Sequence, residues 1–123
     1  YVPRLSVKVT PGGLELDADR QMLERVLVNI LQNAAQALEG HPEPAVSIEA
    51  GLNPRGHIVL EVSDNGPGVP EARRRQVFVP FFTTRREGTG VGLALSRQIM
   101  VAHGGTISVD TAEGGGALFR LVF

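Results

Sequence analysis

The chain has 123 residues, 42% of them hydrophobic and 20% charged, with a net charge of −1. This is the profile of one globular domain with a single two-layer core, and it gives no electrostatic reason to expect nucleic acid or direct membrane contact. The absence of cysteine excludes a disulfide framework, a thiolate nucleophile and a Cys-based metal site, and no apolar run approaches the roughly 20 residues of a membrane-spanning helix. The chain opens on Tyr1-Val2-Pro3 rather than Met, so 1–123 is expected to be one domain of something longer.

Leu5, Val7 and Val9 alternate with Ser6, Lys8 and Thr10, and Pro11-Gly12-Gly13 then leads into Leu14-Glu15-Leu16. A small hairpin is expected there. Asp19 suits an N-cap, and Leu23, Val26, Leu27, Ile30, Leu31, Ala34 and Leu38 follow at helical spacing until Gly40 and Pro42, which predicts a helix over about 20–39. On it Asn29, Asn33 and Gln36, at spacings of four and three, form a polar ridge beside the apolar stripe. Asn is a poor helix former. With the small residues Ala34, Ala35 and Ala37 close by, the ridge reads either as a solvated face or as a surface that something approaches closely. A neutral amide oxygen is also a suitable hard ligand for Mg²⁺, which takes few protein ligands and keeps most of its waters.

Val46, Ile48 and Ala50 alternate with Ser47 and Glu49, and Asn53-Pro54-Arg55-Gly56 joins that run to Ile58–Asp64, a second hairpin. In the later strand Asp64 has the parity of Ile58, Leu60 and Val62, so a carboxylate arrives on the core side at the strand's end, where it must find hydrogen-bond donors. Gly66 and Gly68 then allow the chain to bend away, with Pro67 stiffening the turn. From Val69 to Glu87 regular periodicity fails apart from a helical turn at 71–75, and Phe78, Phe81 and Phe82 can anchor the segment to the core. A connection of that length is commonly a lid. Gly88-Thr89-Gly90-Val91-Gly92 opens a second amphipathic helix over Leu93–Val101, ended by His103-Gly104-Gly105. A glycine-rich helix entry offers bare N–H groups and a positive dipole end to an anion, although the spacing matches neither a Walker loop nor G-x-G-x-x-G. Thr106–Val109 and Ala117–Phe123 read as two strands joined through Gly114-Gly115-Gly116. The expected class is α/β, an α+β sandwich of one mixed, mostly antiparallel sheet with helices on one face.

Taken in order, N-x-x-x-N on a helix, D-x-G-x-G at a strand end, Phe-Pro-Phe-Phe relaxed here to Phe78-Val79-Pro80-Phe81-Phe82, and G-x-G-x-G before a helix resemble the catalytic and ATP-binding domain of bacterial sensor histidine kinases. In wording, Asn33-Ala34-Ala35-Gln36-Ala37, Pro80-Phe81-Phe82-Thr83-Thr84 and Gly88-Thr89-Gly90-Val91-Gly92-Leu93 look most like the nitrogen-regulation branch. The resemblance implies a Bergerat-type fold with an ATP pocket between sheet and helices. Asp64 would accept the exocyclic amine of adenine, and Gly66 and Gly68 would let backbone lie near the base. Asn33 would bind Mg²⁺, with Asn29 supporting it and Gln36 nearby. Gly88, Thr89, Gly90, Val91, Gly92 and Leu93 would carry the lid over the triphosphate, Thr84 and Arg85 would lie near its terminal phosphate, and Phe78, Phe81 and Phe82 would seat the lid.

Two positions depart from the pattern: Gln36 stands where many relatives have Lys, and Leu118 precedes Phe119 where relatives often have Thr. The resemblance further implies a cytoplasmic domain that phosphorylates a histidine on the dimerisation and phosphoacceptor domain of its own kinase, with a response regulator downstream. No acceptor is expected within the chain, since His41, His57 and His103 lack a following carboxylate. Hydrolysing ATPases and anti-sigma serine kinases of the same superfamily place Glu where Asn29 stands, and a neutral amide cannot act as general base; they are the rival readings, with a degenerate binding module as a third.

Overall fold

The computed structural model describes residues 4–80 and 92–123. Strand β1 (Arg4–Val9) is followed by helix α1 (Arg20–Ala37), strands β2 (Ala45–Leu52) and β3 (Ile58–Asp64), two short 3-10 turns (Glu71–Arg73 and Gln76–Phe78), helix α2 (Gly92–Ala102), and strands β4 (Thr106–Thr111) and β5 (Ala117–Val122). The strands form one five-stranded sheet in the order β1-β2-β3-β5-β4.

β1 does not form a hairpin with 14–16. It pairs in parallel with β2, Leu5 opposite Val46 and Val7 opposite Ile48, while Leu14–Leu16 adopt no strand. Parallel neighbours need a crossover, and α1 is that crossover. The Pro-Gly-Gly turn signal is local, whereas the partner of β1 lies some 40 residues on, which turn chemistry cannot report. The other pairings, β2 with β3, β3 with β5 and β4 with β5, are antiparallel; the β2–β3 hairpin is the expected one, and the β3–β5 pairing is one that local pattern does not report.

α1 starts where Asp19 accepts the Met22 N–H at 3.0 Å, a side-chain N-cap that satisfies one of the first-turn donors. It buries Val26, Ile30 and Ala34. α2 ends in a Schellman arrangement, Gly105 N–H to Met100 O and Gly104 N–H to Val101 O, with Gly104 at φ +73°. Both helices pack on one face of the sheet, where Val26, Ile30, Leu38, Met100, Val62, Phe119 and Leu121 form a single buried cluster. Phe78 joins it edge-to-face with Phe119, ring centroids 6.3 Å apart, so this aromatic does anchor the irregular segment. Arg74 holds the same segment to β4 through Asp110 at 3.2 Å and the Thr111 hydroxyl at 2.7 Å. The opposite face carries Glu61 paired with Arg120 across β3 and β5 at 2.9 Å. β1 is exposed throughout, Val7 at 62%: its apolar side shares the face of Val46 and Ile48 but lies beyond the cover of the helices.

Candidate functional site

At the end of β3 the period-2 alternation delivers Asp64 to the helix-covered face, opposite Val46 and 6% exposed. Its Oδ1 accepts two backbone N–H groups, Gly66 at 2.9 Å and Ala117 at 3.2 Å. Among the described residues none donates to Oδ2. A buried carboxylate oxygen with no protein donor is costly unless a ligand or water supplies one, and a donor approaching it meets a rigid acceptor.

The backbone around Asp64 is closely packed. Asn65 fastens the strand-end loop to the chain before β2: its Oδ1 accepts the Ala45 N–H and its Nδ2 donates to Glu43 O, both at 2.9 Å. Gly66 lies against the last turn of α1, where a Cβ would come within 3.1 Å of Asp64 Oδ1 and 3.2 Å of Ala37 O. Its requirement is therefore space rather than unusual torsion, and Ala37 is the small residue that the sequence marks for a close approach. Gly68 has φ +77°, the conformation expected for it. Gly116, at φ +85°, is stacked on Asp64 so closely that a Cβ would overlap the Asp64 carbonyl oxygen.

Asn29, Asn33 and Gln36 are all half-buried on α1, but they do not form a uniform ridge. Asn29 turns toward α2, its Nδ2 donating to Gly92 O at 3.1 Å and to the Ser96 hydroxyl at 3.3 Å. Asn33, one turn on, has no hydrogen bond to any described side chain or loop, which leaves its amide oxygen available. No group of three or more His, Cys, Asp or Glu among the described residues could hold a metal ion; a single amide oxygen suits Mg²⁺, which binds through few protein ligands. Gly92 is the first residue of α2 and Leu93 packs toward the core, so Leu93 contributes to packing. Phe81, Phe82, Thr84, Arg85, Gly88, Thr89, Gly90 and Val91 lie outside the described residues.

Ser96, Gly116 and Ala117 were not read as site residues from the sequence. Ser96 is wholly buried on a helix face otherwise apolar, and a lone Ser four residues after Gly92 was the available signal. Ala117 supplies the second donor to Asp64. Leu118 pairs with Ser63 and Asp110, on the sheet face away from Asp64, and its neighbour Ala117 donates to the carboxylate.

A family model described as histidine kinase-, DNA gyrase B- and HSP90-like ATPase matches residues 18–123. The chain belongs to this ATPase family. Its similarity runs to the sensor kinases: the nitrogen regulation protein NtrY of Azorhizobium caulinodans is 40% identical over 116 residues, covering 90% of this chain and 15% of that protein. Among solved structures, a mycobacterial sensor histidine kinase, MprB, superposes with a TM-score of 0.86 at 32% identity, covering 98% of this chain and 82% of that one. Full-length ShkA in complex with AMPPNP gives 0.84 at 29%, covering 97% and 25%. The fold is thus the Bergerat-type fold of histidine kinase catalytic domains, and the chain is an ATPase domain of that kind. It spans less than a quarter of the length of the curated relatives it matches, 18% of the C4-dicarboxylate transport sensor protein DctB of Rhizobium meliloti for example. No helix among the described residues is long and apolar enough to cross a membrane.

Proposed function

We propose that this domain binds Mg-ATP and transfers the γ-phosphoryl group to a histidine on a separate dimerisation and phosphoacceptor domain of the same kinase, in the cytoplasm, for relay to a response regulator. The observation that carries the reading is the Oδ2 atom of Asp64, a buried anionic acceptor without a described protein donor. It matches the exocyclic amine of adenine in chemistry, a neutral donor at the edge of a flat base. Gly66 and Gly68 add no side chain beside Asp64 that could obstruct the base.

Asn33 is the described residue suited to hold the metal, and bound Mg²⁺ would supply charge neutralisation to the phosphates. Asn29 stands one turn earlier with its amide committed to α2, so no proton acceptor occupies the place from which water could be activated. The nucleophile must therefore come from elsewhere. His103 uses both ring nitrogens, accepting the Asp19 N–H at Nε2 and bonding Ile99 O through Nδ1; His41 accepts the Glu43 N–H in a loop; His57 lies in the exposed β2–β3 connection. None of their described hydrogen bonds is to Asp64 or Asn33.

The test is titration calorimetry with Mg-ATP, followed by radiolabelled ATP with and without the histidine-bearing domain of the kinase. Saturable binding, and acid-labile label appearing only on the added domain, are expected. No heat and no competition with a fluorescent ATP analogue, or label on the domain alone, would refute the assignment.

A further inference from the structure

The hydrogen bonds among Asn29, Gly92 and Ser96 lie apart from the carboxylate and glycines that contact the base in the proposed reading. Ser96 is fully buried, and its hydroxyl donates to Gly92 O at 2.9 Å. That occupies the hydroxyl hydrogen and orients an oxygen lone pair toward α1, where Asn29 Nδ2 donates to it at 3.3 Å while its other hydrogen reaches Gly92 O at 3.1 Å. The Ser96 hydroxyl, the Gly92 carbonyl and the Asn29 NH2 group are joined to one another, and this assigns the orientation of the Asn29 amide: flipping it would set Oδ1 against the Gly92 carbonyl and lose both donations. Nothing in helix formation calls for this arrangement. A serine inside α2 is no help to helix stability, and an alanine would fill the apolar face as well.

We propose that Ser96 and Asn29 are a positioning pair, which sets the first turn of α2 at a fixed place against the turn of α1 that leads into Asn33. The inference rests on the Mg-ATP reading above. It assigns to Asn29 a role that requires a donor, and to Ser96 a role in phosphate and metal alignment although it reaches neither. Asp at position 29 would match Asn in shape but place a carboxylate oxygen against the Gly92 carbonyl, reversing the attraction. Among the described residues the base-binding end, at Asp64, shares no hydrogen bond with this cluster, so the two ends of the nucleotide should respond separately.

The experiment compares Mg-ATP and adenosine affinities of the 123-residue chain with those of Ser96→Ala, Asn29→Asp and the double variant, with thermal midpoints recorded alongside. The pair predicts Mg-ATP binding about three- to tenfold weaker in each single variant, adenosine binding unchanged, and a double variant weakened by less than the product of the two. Retained adenosine affinity demonstrates that the variant is folded. Equal weakening of both ligands, no weakening, or independent effects in the double variant would overturn the positioning role while leaving the Mg-ATP reading intact. A native chain that binds adenosine and Mg-ATP equally would overturn it too, and one that binds neither defeats both proposals.

Discussion

Replacing Asp64 by Asn keeps a carbonyl oxygen able to accept from Gly66 and Ala117, but turns an NH2 group toward the position of the free Oδ2. A donor would then face the donor of the adenine amine. The loss of a charged acceptor is worth on the order of 1.5–3 kcal/mol, roughly a tenfold to hundredfold fall in ATP affinity, measurable by calorimetry on a variant whose melting is close to native. Unchanged affinity would remove Asp64 from the base site. Gly66→Ala probes the same corner by volume. Its new Cβ, 3.1 Å from Oδ1 and 3.2 Å from Ala37 O, must push the loop outward, and overpacking of about 1–3 kcal/mol should appear as a lower urea midpoint together with weaker ATP binding. At this scale the sequence was informative where a residue type is unusual for its position: a carboxylate with core parity, or two Asn on a helix. It was silent about Gly116 and Ala117, because their contact with Asp64 joins residues more than 50 positions apart and leaves no trace in local pattern.

Among the elements, α1 and α2 were legible because apolar periodicity and end signals agree: Asp19 before the first turn, His103-Gly104-Gly105 after the last. The cap is testable. Asp19→Ala removes the bond to Met22 N–H but keeps the backbone donor to His103, so a loss of about 1 kcal/mol and a fall of several degrees in melting temperature are expected. A midpoint equal to native would mean that water replaces the cap. β1 was read correctly as a strand and wrongly as half of a hairpin. Alternation specifies a strand's faces but not its neighbour, and here the neighbour is reached only through a helical crossover. The apolar residues of β1 add little in this arrangement, since all of its positions are exposed.

For the molecule as a whole, stability resides where the two helices, β3 and β5 meet. Phe119 is 1% exposed and touches Phe78 edge-to-face, so Phe119→Ala combines a large cavity with loss of the contact that seats the segment after Gly68. A cost of about 3–5 kcal/mol, set against the roughly 5–15 kcal/mol total of a typical domain, should shift the urea midpoint strongly, and a shift smaller than that of Asp19→Ala would contradict this account of the core. The helix pair has a further mechanical consequence. Asp19 meets His103 beyond one end of α2, and Asn29 meets Gly92 and Ser96 at the other. The intervals, ten residues along α1 and eleven along α2, are about 15 and about 16 Å at the helical rise, so the two contacts act as pins at either end of a short antiparallel rod. A rod pinned twice cannot swing about either pin, and torque applied to the chain entering at Gly92 has to be taken up as backbone rotation there instead of being carried through α2 into β4. Nucleotide should accordingly slow amide exchange along α2 only by the uniform amount that ligand stabilisation gives every globally exchanging amide, and a selective change within α2 would contradict the two pins.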